Sequence, residues 1–156
     1  MNPVNTTFYV KEYNTEYKDK LIDFLQICLP ESGRSLDLEG RHSFYNDIEK
    51  YFVAFWCMFD NDKIIGTVAV KELDKNRCEL KSLYLLECYH GRGLGKYMLG
   101  KAIDFSKESR YKKMYLDSLS TSEKAIRLYE NLGFIKTRKY NENKFADVFM
   151  VLDLKK

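Results

Sequence analysis

The sequence predicts a mixed α/β fold in which helices flank a mostly antiparallel central sheet. Three observations carry this. Runs rich in β-branched and aromatic residues alternate with runs whose apolar residues recur at helical spacing. Three strand-like runs, Val53–Phe59, Ile64–Leu73 and Cys78–Leu86, follow one another across short turns, so they should be antiparallel. A helical run, Leu94 to about Glu108, then leads to the strand-like Met114–Leu119. That crossover sets the strand over Glu79–Leu86 and the strand over Met114–Leu119 parallel.

Taken in order, Phe8-Tyr9-Val10-Lys11-Glu12-Tyr13 reads as the first strand. Leu21, Ile22, Phe24, Leu25 and Cys28 fall at helical spacing, and Pro30 with Gly33 ends that helix. Leu36, Leu38, Phe44, Tyr45 and Ile48 point to short helical pieces over 34–50. Asp60-Asn61-Asp62-Lys63 and Asp74-Lys75-Asn76-Arg77 are turns by composition. Ser120-Thr121-Ser122-Glu123 has the form of a capping box, with Ser120 at N-cap and Glu123 at N3. It opens a short helix with Ala125, Leu128, Tyr129 and Leu132 on one face, closed by Gly133 at C′. Phe134–Tyr140 and Phe145–Leu154 complete the chain as a hairpin around Asn141-Glu142-Asn143.

At 156 residues with no repeat or linker, residues 1–156 read as one domain. Hydrophobic residues at 45% and charged residues at 31% are ordinary for a soluble globular chain. A net charge of +3 with no long basic block speaks against nucleic acid. Cys28, Cys57, Cys78 and Cys88 form no C-x-x-C pair, and with only two histidines they do not make a zinc site. They read as reduced thiols of a cytoplasmic protein. Met1–Thr7 lacks the basic and apolar regions of a signal peptide, and Val53–Phe59 is too short to span a bilayer, so no membrane is expected.

The most informative segment is His90-Gly91-Arg92-Gly93-Leu94-Gly95-Lys96, a glycine-rich turn between a strand and a helix. Small side chains let backbone amides approach a ligand, and a helix N-terminus favours anions. A P-loop is excluded because His90 stands where its first Gly belongs and Tyr97 where Ser or Thr belongs. A dinucleotide fingerprint is excluded because neither Gly91-Arg92-Gly93 nor Gly93-Leu94-Gly95 has its third Gly, and because three antiparallel strands precede the turn.

His90–Gly95 does match the Q/R-x-x-G-x-G/A loop of acetyl-CoA-dependent acyltransferases, apart from its first position. Glu79-Leu80-Lys81-Ser82-Leu83-Tyr84-Leu85 and Ala125-Ile126-Arg127-Leu128-Tyr129-Glu130-Asn131-Leu132-Gly133-Phe134 accompany it in the right order. In these motifs the chain resembles the GNAT superfamily of N-acetyltransferases over roughly residues 8–154, most strongly over 79–134. The resemblance implies a GNAT-type sheet with a splayed cofactor-binding strand pair. It implies acetyl-CoA as cosubstrate, no metal, and direct attack by a primary amine in a ternary complex.

On that resemblance, the backbone of Leu83, Tyr84 and Leu85 would pair with the pantetheine arm, and the Leu83 amide would be an oxyanion donor. The amides of Gly91, Arg92, Gly93, Leu94, Gly95 and Lys96 would hold the pyrophosphate, with Arg92 and Lys96 adding charge. Those two cations otherwise oppose the helix dipole. His90 replaces the family's Gln or Arg with a shorter donor. Ser122 stands where Asn often contacts the cofactor, and local capping is its alternative role.

Tyr129 would be the general acid, protonating the departing thiolate; its alternative is a packed tyrosine on a buried helix face. Glu79 would be the general base for an amine of pKa near 10. Its alternative is a strand carboxylate opposite Lys81 or Arg77. His42 has no expected catalytic role, although Arg34–Tyr51 lies where the family varies its acceptor site. Asp117 and Ser118 are further candidates facing that pocket. No cysteine is placed as a nucleophile. The acceptor is expected to be a small-molecule amine, with a homodimer left open. The alternatives are a protein N-terminus or lysine as acceptor, a non-catalytic acyl-CoA-binding or regulatory module, or a nucleotide-binding protein.

Overall fold

A computed structural model describes residues 8–155; Met1–Thr7, read above against a signal peptide, lies outside the described residues. Seven strands form one sheet: β1 (Phe8–Glu12), β2 (Ala54–Asp60), β3 (Lys63–Glu72), β4 (Arg77–Leu85), β5 (Lys113–Ser118), β6 (Ile135–Lys136) and β7 (Val148–Asp153). Their order across it is β1-β2-β3-β4-β5-β7-β6. Only β4 and β5 are parallel, because the helix α3 (Leu94–Glu108) crosses between them. The remaining helices are α1 (Lys18–Glu31), α2 (Ile48–Tyr51) and α4 (Glu123–Asn131). No helix among the described residues is long and apolar enough to cross a membrane.

Helices cover both faces of the sheet centre, which is why β3 is buried without a break from Ile64 to Val70. On β2, adjacent side chains point to opposite faces. Trp56 meets Phe105 of α3, while Phe55 meets Tyr45 and Phe52 of the 42–52 segment. α1 buries Leu21, Phe24, Leu25 and Cys28 of the stripe its spacing predicts, and Leu29 beside them, while Ile22 is only partly buried. α3 buries Leu94, Met98, Leu99, Ala102 and Ile103. Each buried leucine, isoleucine, phenylalanine or methionine among them contributes about 1.5–3 kcal/mol. Gly66 lets β3 pack close under α3: a Cβ there would lie 2.9 Å from Met98 Cε.

Turn chemistry holds where it is local. Asn61 takes φ +54° between β2 and β3, a conformation asparagine tolerates. α1 runs one residue past Pro30 and then stops. Gly33 at φ +79° donates to Pro30 O (3.0 Å) and the Arg34 amide to Leu29 O (2.9 Å), a Schellman motif that fixes where Arg34 begins. Gly133, at φ +103°, follows α4 as expected.

Two expectations fail. The capping box does not form: α4 starts at Glu123 with Ser122 as N-cap, and no side chain caps it. Ser120 instead gives its amide and its hydroxyl to the Asp147 carboxylate, both at 2.7 Å. The ionised partner across the loop makes stronger bonds than a neutral capping pair. The last hairpin is also shorter than its sequence pattern. β6 is only two residues long, and 137–147 forms a loop because Tyr140 and Asn141 turn inward to side-chain partners.

Candidate active site

β4 and β5 pair only at Arg77↔Lys113, Cys78↔Met114 and Glu79↔Tyr115. Beyond Glu79, β4 stays with β3 as far as Leu85, and β5 stays with β7 as far as Ser118. The two parallel strands therefore part, and the sheet opens into a wedge between 80–85 and 116–118. A β-bulge sharpens the turn of β4: Ser82 and Leu83 together oppose Val68, so Leu83 has no registered partner. Ser82 sits at φ +53°, which is unfavourable for a side-chain-bearing residue. It is held there by Thr67 Oγ1 donating to its carbonyl (2.7 Å) and by a 2.7 Å bond between its hydroxyl and that of Tyr45.

The glycine-rich turn lies directly after this strand. Gly91 (φ +81°) and Gly93 (φ +77°) adopt the left-handed conformation, and Gly93 is the N-cap of α3. Among the described residues, no amide from Gly91 to Lys96 donates to a protein acceptor. A Cβ at Gly91 or Gly93 would meet nothing within 4 Å, so the surface of the turn is open at both glycines. Such a set of N–H groups at the positive end of a fifteen-residue helix suits a diphosphate. The side chains here are arranged less simply. The His90 ring turns back, with Nε2 2.9 Å from Leu85 O, and its amide is taken by Glu87 O. Arg92 lies over the rings of Tyr89 and Phe8 (5.5 and 5.9 Å). Lys96 is exposed at the head of the helix.

Glu79 closes the apex of the wedge. It is 3% exposed, so it is not the surface carboxylate paired with Lys81 or Arg77 that was the alternative reading; Arg77 bonds Asp74 instead (2.7 Å). Its partners are the Tyr140 hydroxyl and the Asn141 amide (3.1 Å), both on Oε2. Asn141 Nδ2 also donates to Asp117 Oδ2 (2.7 Å), so one amide joins two carboxylates. Tyr140 packs on Tyr115 and Phe149, and its phenol is pushed far up by burial and by Glu79. A protonated phenol and an amide thus fix the carboxylate while leaving Oε1 free of described partners.

Tyr129 is buried against Phe134 (5.8 Å). Burial is the main cause that pushes its phenol up to about 12; Tyr84 and Asp117 raise it further and Arg34 opposes them. Tyr84 and Asp117 belong to β4 and β5, the two strands that border the wedge. Ser122 shows no hydrogen bond from its hydroxyl to α4; its backbone carbonyl accepts the Ile126 amide (3.0 Å). His42 is 5% exposed and accepts the Asp37 amide through Nδ1 (3.0 Å), a local structural role. Sequence reasoning named Glu79, Asp117 and Tyr129 but missed Tyr140, Asn141 and the Ser82 contacts. Tyr140 and Asn141 sit in a segment that reads as strand and turn, and no local signal marks them. Two surface hollows of about 270 and 280 Å³ lie elsewhere, around Ile126 and Phe52, and hold none of these groups.

A model of the Acetyltransferase (GNAT) family matches residues 10–134. An uncharacterized N-acetyltransferase of Schizosaccharomyces pombe is 36% identical over 139 residues, 85% of each chain. The matches to relatives from Escherichia coli and Bacillus subtilis are shorter, covering 50% and 66% of those proteins. A GNAT-family acetyltransferase structure from Staphylococcus aureus superposes with TM-score 0.85 at 26% identity, over 94% of this chain and 99% of that one. A GNAT-family acetyltransferase from Elizabethkingia anophelis with acetyl-CoA bound shares the fold at TM-score 0.68 and 17% identity, over 96% and 99%. The wedge, the glycine turn and these likenesses agree: the chain belongs to the GNAT acetyltransferase family.

Proposed function

We propose that this chain is a single-domain N-acetyltransferase that moves an acetyl group from acetyl-CoA to the primary amine of a small molecule, by direct attack in a ternary complex. The observation that carries the reading is the opening of β4 away from β5 with the unpaired Gly91–Lys96 amides at its mouth. These residues fit coenzyme A. The open β4 edge at Leu83–Leu85 offers backbone pairing to an extended arm, and the turn offers donors to a pyrophosphate. Lys96 adds charge to the turn, while His90 and Arg92 serve it from behind, one holding the end of β4 and the other resting on Tyr89. Ser122, with a hydroxyl that does not cap α4, remains a cofactor contact candidate. Bound acetyl-CoA supplies the activated acyl carbon and a thiolate leaving group.

The protein's part is proton transfer and charge stabilisation. Glu79 takes the proton from the amine, its carboxylate held by Tyr140 and Asn141. The Leu83 amide, displaced by the bulge, donates to the oxygen where negative charge develops. Tyr129 protonates the leaving sulfur. Burial that raises the phenol also raises a thiolate departing in the same dry site, so the transfer stays matched.

A thermal-shift panel tests the cofactor. Acetyl-CoA and coenzyme A should stabilise the protein, whereas ATP and NAD should not; stabilisation by ATP alone would overturn the reading. An amine-library screen that follows thiol release from acetyl-CoA then tests the reaction.

A further inference from the structure

We infer that the acceptor amine carries a carboxylate, and that Arg34 binds it. This rests on the acetyltransferase reading above and narrows its substrate class. Arg34 is half-buried at the edge of the wedge, its backbone fixed by the Schellman motif that ends α1. Its guanidinium lies over the Tyr84 ring (5.8 Å), and Nη1 donates to the Tyr84 hydroxyl at 3.3 Å. That is its one side-chain hydrogen bond among the described residues, and none of the ion pairs there includes it. A guanidinium has five N–H donors in a planar fork, shaped for a carboxylate. A fork that rests on an aromatic ring, partly desolvated and otherwise unpaired, is a poor structural element and a good anion site.

Its position adds the second half of the argument. Tyr84 belongs to the stretch of β4 that borders the wedge, and Arg34 is near enough to Tyr129 to act on its phenol. The other wall carries the opposite charge, with Glu79 and Asp117 joined by Asn141. The pocket is therefore bipolar, cationic at Arg34 and anionic at Glu79 and Asp117. A simple alkylamine uses only the acidic wall and leaves Arg34 unpaired. An amino carboxylate satisfies both walls, with its amine directed to the base.

The test pairs the standard L-amino acids with their carboxamides. It also pairs ω-amino acids, from glycine to 5-aminovalerate, with alkylamines of the same length. The best amino carboxylate should exceed its uncharged partner by about tenfold or more in kcat/KM, as expected where a site is built to bond a charged group. R34Q should bring that ratio to within about twofold of unity, chiefly through KM, with acetyl-CoA affinity unchanged. Carboxamides or alkylamines that equal the amino carboxylates, an R34Q effect equal on both classes, or loss of acetyl-CoA affinity in R34Q would each overturn the inference. Calorimetric titration of the same compounds into the coenzyme A-saturated protein separates this from the proposed function. Amino carboxylates that bind wild type, lose affinity in R34Q and yet are not acetylated would uphold the Arg34 site while sinking the transferase. Acetylation of amines with no Arg34-dependent binding would do the reverse.

Discussion

In the proposed reaction Tyr129 and Glu79 face opposite demands, one to keep a proton until the sulfur leaves and the other to accept one. Burial meets the first: with its phenol near 12, Tyr129 stays protonated at every pH where the amine acceptor is ionising. Y129F keeps the ring on Phe134 and removes only the hydroxyl. It should lower kcat by about 10²–10⁴ while acetyl-CoA affinity by calorimetry stays within about twofold. The same reasoning fixes the alkaline limb. Rates should rise as the amine deprotonates and show no decline owed to Tyr129 between pH 7 and about 10. A fall in that window that Y129F abolishes would give the proton-donor role to a phenol of ordinary acidity. E79Q preserves the volume at the apex and should lower kcat/KM by about 10²-fold, with binding of coenzyme A intact. Lost coenzyme A binding would make Glu79 structural.

At the scale of elements, the site depends on segments that depart from regular structure. The loop between β6 and β7 is the clearest. Its Asn141 amide donates to two carboxylates, Glu79 and Asp117, so N141A should cost about 1–3 kcal/mol in stability and also lower kcat/KM. Denaturant melts and initial rates would show both; a stability loss with unchanged rates would detach this loop from catalysis. Gly93 is the corresponding point in the turn. Its φ of +77° makes G93A cost about 1–2 kcal/mol in backbone strain even though space for a Cβ is open, so weaker coenzyme A binding would follow from the conformation and not from a clash. These cases also show what was legible in the sequence. The glycine turn, the crossover helix, the Asn61 turn and the Gly33 stop follow from residues a few positions apart. The capping box and the long last hairpin were misread because their side chains answer to distant partners: Ser120 to Asp147, and Tyr140 to Glu79 sixty-one residues away. The bulge at Ser82 depends in the same way on Thr67 and Tyr45. The motif residues could be named from the sequence, whereas the groups that aim them could not.

For the whole molecule, the pattern of buried titratable groups predicts an asymmetric response to pH. Cys28, Cys57 and Cys78 are buried free thiols, pushed by burial from about 9 to about 12, 12 and 11. Tyr129 is displaced upward for the same reason. An unfolded chain ionises these groups at their ordinary values, whereas the fold holds them neutral. Well below pH 9 both states are protonated and the difference contributes nothing. As pH rises from 9 toward 12, the unfolded state sheds protons that the folded state retains, and stability falls. Each tenfold preference for the protonated form is worth about 1.4 kcal/mol, so even partial expression by several groups is large beside a marginal folding free energy. Among the described residues the aspartates held low, Asp74 and Asp147, are exposed and screened, so they add little on the acid side. Thermal melts in reductant should therefore give a Tm that is level from pH 7 to about 8.5 and falls steadily to pH 11. C57A removes a fully buried thiol. It should lower Tm at pH 7 through the small cavity it leaves and also flatten the alkaline slope. A wild-type Tm that stays level to pH 11 would mean that these groups ionise within the fold, and that the sheet around Cys57 is far more open to water than its packing implies.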